Sequence, residues 1–285
     1  RMSSFAIVTD STANLPKAFI EKQGIYVLPL TWISGEKEYS GSMEGEREAY
    51  ALFYEKLRKE KHISTSMSNQ RTAQKLVQKL LSEEKDILYI GLSSKLSGTF
   101  HMMERVLGYE AKKYPERKWY AVDSFAIGLG EGSLVFDAAK IRRRGEDIGA
   151  AYAWCCQRRW RLHTLFTVDD LGFLRRSGRA NAVLSTAGSV LKIKLLFSMQ
   201  DGGKLRQVGK VRGRKKALQE LTTLALTGLT EPQTIYISHG DCHEDACYVA
   251  KQMEKSEFVK KIIMQPLDPV SACHTGPNSI GIFFV

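Results

Sequence analysis

The sequence predicts an α/β protein of two domains: a mostly parallel sheet with flanking helices first, then a mixed or antiparallel sheet with helices. Three observations carry this. Short apolar runs alternate with amphipathic stretches through the first half, the pattern of a parallel sheet covered by helices. The later segment "IKLLFSMQDGGKLRQVGKV" reads as two strands joined at Asp201-Gly202-Gly203, a hairpin signal. A length of 285 residues fits one large domain or two smaller ones. The expected division is 1–158 and 159–285.

The elements follow in order. "FAIVT" (5–9) is a buried strand, followed by Asp10, Ser11 and Thr12 and a short helix ending at Gly24. "IYVLPLTWI" (25–33) is read as one strand, with Pro29 limiting its ladder bonds. A helix is expected at about 46–59. In "NQRTAQKLVQKLLSEE", Ala73, Leu76, Val77, Leu80 and Leu81 fall on one helical stripe. Strands follow at 86–92 and 118–123, then a helix from about 130 to 144 that stops at Gly145. The second half continues with a helix near 147–161, a strand at 162–168, two short helical pieces and the hairpin. It closes with a helix (214–227), a strand (234–240), a helix (244–255), a strand (259–265) and a final strand in "IGIFFV".

Composition narrows the function classes. Hydrophobic residues make up 43% and charged residues 26%, ordinary values for a packed globular chain. No apolar run reaches the length of a membrane span. The start "RMSSFAIVTD" lacks a signal-peptide pattern, so the expected compartment is the cytoplasm. Five cysteines, Cys155, Cys156, Cys242, Cys247 and Cys273, form no C-x-x-C pair, and "CHEDAC" completes no metal-ligand set. Neither a metal nor a cofactor is expected. The net charge of +11 favours acidic partners: nucleic acid, anionic lipid, an acidic protein or a carboxylate. The basic knots at 142–144 and 158–161 read as solvated helix ends. The knot at 210–216 reads equally well as a docking surface.

Ligands of open α/β sheets bind beyond the carboxyl ends of the strands. The loops there are "TDST", "STSMSN" (64–69), "SSKLSGT" (93–99) and "DSFAIG" (123–128), all rich in hydroxyls. Hydroxyls and free N–H groups form oxyanion-binding surfaces, although helix capping alone accounts for much of this chemistry. Asp10, Ser11 and Thr12 are assigned mainly to capping. There is no P-loop and no nucleophile elbow, and "GLGEG" lacks the dinucleotide-binding spacing. Asp169 and Asp170 read as helix N-terminal charges. The stretch "AVLSTAGSVLKIKLLF" (182–197) reads as core or as the lining of a lipid-sized tunnel with Arg179 at its charged end. His274 in "SACHTGPNSIGIFFV" reads by itself as a ligand contact, a base or a turn residue.

Six motifs in order resemble the DegV family, the FakB type of bacterial fatty-acid-binding proteins. They are "IVTDSTANLP", "STSMSN", "SSKLSGTF", "DDLGFLRRSGRA", "DGGKLRQVGKVRGRKKAL" and "HTGPNSIG", and together they span nearly the whole chain. Met67, Ser68, Lys95, Ser177, Ala180, Leu195 and Asn278 depart from the family pattern. The resemblance implies a DegV-like fold holding one long-chain fatty acid in an apolar tunnel between the domains. By motif position it implies head-group contacts from Thr65, Ser94 and His274, with Ser64, Ser93, Thr275 and Arg179 close by. It also implies a non-enzymatic role: presenting the acid to a separate fatty acid kinase, which forms an acyl phosphate for phospholipid synthesis. Transient contact with an anionic membrane fits the same role.

A fatty acid sets two demands. About fifteen buried methylenes gain on the order of 12 kcal/mol gross, before ordering and association costs. The carboxylate needs hydrogen-bond donors, and an anion favours a protonated imidazole. Two alternatives remain. One is a hydrolase or transferase using His274 as base and Ser94 or Ser97 as nucleophile, for which no orienting acid is visible. The other is a nucleic-acid binder suggested by charge alone, without a recognition motif.

Overall fold

The computed structural model describes residues 5–42, 47–60, 62–180 and 192–285. Among them lie three sheets. The first is parallel and four-stranded, built from β1 (Ala6–Asp10), β2 (Tyr26–Leu28), β6 (Ile87–Gly91) and β7 (Trp119–Asp123) in the order β2-β1-β6-β7. Both β1 and β6 are buried along their whole length, as their unbroken apolar runs require.

Helices cover both faces of this sheet. The helix Gln70–Ser82 buries Ala73, Val77, Leu80 and Leu81 against Val8, Ile87 and Tyr89, the stripe anticipated from its spacing. Asn69 starts that helix by accepting the Thr72 N–H at 3.1 Å. On the other face, the helices Leu129–Arg143 and Ile148–Arg161 pack over Ile7, Leu88, Ile90 and Val122.

The second sheet has six strands: β8 (His163–Thr167), β9 (Ile193–Gln200), β10 (Lys204–Arg212), β11 (Gln233–His239), β12 (Val259–Pro266) and β13 (Ile280–Phe284). Their order is β10-β9-β8-β13-β11-β12, mixed in direction with only β11 and β12 parallel. The β9–β10 hairpin turns at Asp201-Gly202-Gly203, all three at positive φ. One face of the sheet packs Leu165, Ile235, Ile237, Ile280 and Ile282 against the helices Arg214–Gly228 and His243–Met253. The opposite face turns Tyr236 and Phe283 towards Leu129, at the start of the helix Leu129–Arg143.

"IYVLPLTWI" is not one strand. It divides into β2 and β3 (Thr31–Ser34), which belong to different sheets. Pro29 sits at the division, where a missing N–H ends the ladder. β3 pairs with β4 (Lys37–Ser40) and β5 (Ile63–Ser66) in a small antiparallel sheet. Its Trp32 packs with Phe53, Tyr54 and Leu57 of the helix Arg47–Lys59, and with Ala272 and Cys273 of a short helix, Pro269–Thr275. The residues around His274 are therefore helical and docked on a sheet from the other half of the chain.

Two basic knots are tied into structure. Arg142 donates to the Phe5 and Gln23 carbonyls, and Arg158 pairs with Asp137 at 2.6 Å. In the third, Arg214 pairs with Asp245, whereas Lys210 and Arg212 stand exposed on the edge strand β10, where charge discourages strand addition. Of the stretch 182–197, read as core or tunnel lining, residues 182–191 lie outside the described residues, and Leu195, Leu196 and Phe197 are buried on β9.

Candidate functional site

A cavity of about 330 Å3 lies between the first and second sheets, within the size range of small-molecule sites. Leu30, Leu92, Leu96 and Ile127 line it from the first half, and Phe166, Met199, Leu205 and Phe283 from the second. Its wall is mainly apolar, with Thr12, Thr65, Ser97, Arg179, His274 and Thr275 among the polar exceptions.

Two elements bring the principal polar pair together. β5 carries Thr65, and the last turn of the helix Pro269–Thr275 carries His274. Thr65 Oγ1 lies 2.9 Å from His274 Nε2, and the donor depends on the imidazole tautomer. His274 Nδ1 is buried without a hydrogen-bond partner among the described residues. Whichever nitrogen holds the proton, one hydrogen is left over: on Nδ1 if Thr65 donates to Nε2, or on the Thr65 hydroxyl if Nε2 donates. Burial, reinforced by the Arg179 charge, pushes the imidazole down to about 4.

The helix is aimed by its ends. Asp268 caps it by accepting the Ser271 N–H at 2.9 Å. Gly276 closes it at φ 77, with its N–H on the Ala272 carbonyl. A Cβ there would meet the Phe173 ring at 2.5 Å, so the turn after His274 requires glycine on two counts. Asn278 follows at φ 61, a conformation asparagine tolerates well, which accommodates its departure from the family glycine. Lys95 stands outside the positive-φ positions and needs no glycine.

A second recess of about 100 Å3 adjoins the pair, lined by Ser64, Thr65, Arg176, Arg179 and His274 among others. Arg179 lines both spaces, and its guanidinium donates to the Ser177 carbonyl at 2.6 Å. Thr275 reaches the main cavity, with its hydroxyl donating to Ser279 Oγ at 3.2 Å.

The structure thus gathers Ser64, Thr65, Arg179, His274 and Thr275. It sets Ser93 and Ser94 apart from the lining. Ser93 is fully buried and donates to the Gly203 carbonyl at 3.3 Å, tying the hairpin tip to the first half. Ser94 offers its backbone N–H to the Asp123 carboxylate at 3.2 Å. Their loop presents Ser97 to the cavity instead. Ser97 Oγ lies 3.0 Å from Thr99 Oγ1 and His274 is engaged with Thr65, so among the described residues these groups form no serine–histidine pair of the nucleophilic kind.

One polar cluster at the cavity wall escaped the sequence. Asp10 and Glu131 are both fully buried, and Thr12 Oγ1 lies 2.6 Å from Asp10 Oδ1 and 2.8 Å from Glu131 Oε2. The only trace of this in the sequence is an acid inside "GLGEG", among small residues. The flanking glycines allow close approach. A Cβ at Gly132 would lie 2.4 Å from the Ala13 carbonyl oxygen, and one at Gly130 would lie 2.8 Å from the Phe283 ring.

Comparison with known proteins agrees with this architecture. The model of the family described as uncharacterised proteins of the DegV family matches residues 4–285. The chain belongs to the DegV family. Among curated relatives, it is 34% identical over 286 residues to a DegV domain-containing protein of Clostridium perfringens, covering 100% of this chain and 98% of the relative. A Lactococcus lactis DegV domain-containing protein is 32% identical, with 99% and 98% covered.

Solved DegV structures superpose over nearly the full length. A Ruminococcus gnavus protein refined with vaccenic acid gives a TM-score of 0.89 at 18% identity, covering 99% of this chain and 100% of the other. A Thermus thermophilus DegV protein described as fatty-acid-binding gives 0.87 at 26% identity, with 98% of each chain covered. The Bacillus subtilis DegV, described as a fatty-acid-binding protein, gives 0.84 at 26% identity, with 99% and 98% covered.

Proposed function

We propose that this DegV-family chain binds one long-chain fatty acid, with the acyl chain in the cavity and the carboxylate at the Thr65–His274 pair. One observation carries the reading: an apolar cavity ends at a polar pair drawn from both halves of the chain, and that pair always retains an unspent hydrogen. An apolar wall suits methylenes, and a carboxylate accepts the spare hydrogen. The fatty-acid-binding relatives from Thermus thermophilus and Bacillus subtilis support the same ligand class.

Arg179 adds positive charge at that end, with Ser64 and Thr275 as neighbouring hydroxyls. Ser93 and Ser94 act behind the site by fixing the loop and the hairpin against each other. In this proposal the chain divides near residue 158 and the ligand lies between the two domains.

In this reading the chain is a carrier without catalysis of its own. It presents the acid to a separate fatty acid kinase, and the exposed Lys210, Arg212, Lys215 and Lys216 offer a basic surface to an acidic partner or an anionic membrane. Such a carrier works in the cytoplasm. No helix among the described residues is long and apolar enough to cross a membrane.

The test is mass spectrometry of an organic extract of the purified protein, followed by titration with long-chain fatty acids. Near-stoichiometric fatty acid is expected. No co-purified acid and no uptake on titration would refute the carrier. Ester hydrolysis that depends on His274 would favour an enzyme, and salt-dependent duplex binding a nucleic-acid binder.

A further inference from the structure

Thr12 joins two acids behind the cavity wall. Its hydroxyl lies 2.6 Å from Asp10 Oδ1 and 2.8 Å from Glu131 Oε2, and it has a single hydrogen to donate. That hydrogen cannot serve two ionised acceptors, so one acid must supply a proton. The surrounding donors decide which. Asp10 accepts the Thr12 N–H at 2.9 Å, the Leu92 N–H at 3.1 Å and the Tyr89 hydroxyl at 3.4 Å. Three donors in addition to the Thr12 hydroxyl hold Asp10 as the carboxylate. Glu131 has one further donor, the Thr9 hydroxyl, 3.1 Å from Oε1.

We infer that Glu131 is a neutral carboxylic acid at neutral pH and acts as a positioning residue, closing a hydrogen-bond chain that sets the Thr12–Leu92 stretch of the cavity wall. Every atom of the chain then finds its match. Thr9 donates to Glu131 Oε1, protonated Oε2 donates to Thr12 Oγ1, and Thr12 donates to Asp10 Oδ1. Glu131 lies in the first turn of the helix Leu129–Arg143, where the helix dipole favours its charge, and burial beside the Asp10 carboxylate outweighs that preference. The titratable groups around Glu131 are acids as well: Asp10 at the end of β1, raised by burial and lowered by its donors, and Tyr89 on β6, with Asp10 acting in turn on Asp268 and Asp123 on Tyr89. Burial first, and then the Asp10 charge, raise the Glu131 carboxyl well above its usual range.

The consequence for the cavity concerns polarity. Thr12 and Leu92 both line it. With the Thr12 hydroxyl held by the acids, the wall there offers hydrocarbon to the acyl chain. An ionised Glu131 would put two unscreened charges behind the same wall. The role in binding rests on the fatty-acid reading, whereas the protonation state does not.

The experiment therefore has two arms. In the first, infrared difference spectra at neutral pH compare wild type with Glu131→Gln, and the loss of a protonated-acid carbonyl band is expected. Subtraction matters because burial also raises the Asp268 carboxyl, to about 7. No band lost would overturn the inference. Thermal melting joins this arm: Glu131→Gln should melt at or above wild type, and Glu131→Ala and Thr12→Val below it. A Glu131→Gln variant as unstable as Glu131→Ala would overturn the neutral acid.

In the second arm, long-chain fatty-acid affinity should fall about tenfold in Glu131→Ala or Thr12→Val and stay within about twofold in Glu131→Gln. Unchanged affinity in both Thr12→Val and a folded Glu131→Ala would overturn the positioning role. A wild type that takes up no fatty acid would refute the carrier reading, and the role in binding with it, while the infrared and melting results still decide the proton.

Discussion

The Thr65–His274 pair and the Asp10–Glu131 pair both place polar groups in apolar surroundings, yet they dispose of their hydrogen bonds differently. In the first, Nδ1 has no partner and one hydrogen stays uncommitted in either tautomer. In the second, two threonine hydroxyls, the Tyr89 hydroxyl, two backbone N–H groups and one inferred proton satisfy the carboxyl oxygens. Buried polar atoms are normally paired, so an uncommitted hydrogen on a pair that lines a cavity suits a ligand and a closed network calls for none. The difference separates a binding group from a wall-building group with the same kinds of side chain.

Variants break that comparison most sharply at the open pair. His274→Ala is expected to weaken long-chain fatty-acid binding about 10- to 100-fold, the scale of a lost hydrogen bond to a charged group. Its melting temperature should change little, and calorimetric titration beside a melting curve reads both. Equal loss of stability and affinity would make His274 a structural residue. Next in size, Glu131→Ala leaves buried oxygens unmatched and should cost about 2–3 kcal/mol in denaturant unfolding, a loss of stability that accompanies its loss of affinity and that His274→Ala should not show.

Two pH effects sharpen the contrast. Burial and Arg179 hold His274 at about 4, below its ordinary 6.5. A depressed histidine favours the folded state above pH 6.5, and that contribution is lost as pH falls towards 4. Binding an anion reverses the preference, so titrations near pH 6 in buffers of different ionisation enthalpy should show proton uptake, absent in His274→Ala. Asp268 titrates with the other sign. Burial raises it to about 7 from 3.8, so its contribution is full below pH 3.8 and is lost as pH rises to about 7. Asp268→Asn keeps a capping side chain and should flatten that part of the stability profile, the smallest of these effects. An unchanged slope between those pH values would show that Asp268 is already ionised.

Much of the frame was legible because it is local. The Ala73, Val77, Leu80 and Leu81 stripe, the Asp201-Gly202-Gly203 turn and the helix stop at Gly145 each act within a few residues. The small sheet β4-β3-β5 was not legible. "KEYS" and "ISTS" are short and mostly polar, and Pro29 hid a change of sheet inside one apolar run. The helix Pro269–Thr275 is only seven residues long, too short to show a period. The family motifs pointed to Ser94 and Ser93 in the serine-rich loop, whereas Ser97 lines the cavity and Ser93 turns to Gly203.

What the sequence determined by itself is most of the longer elements and the family, since propensity, periodicity and motif order are properties of neighbouring residues. What only the tertiary structure decided is the partnership of distant side chains. Thr65 meets His274 across 209 residues, and Thr12 meets Glu131 across 119. Hydrogen bonds act over about 3 Å, and no pattern along the chain encodes which distant atoms packing brings within that reach.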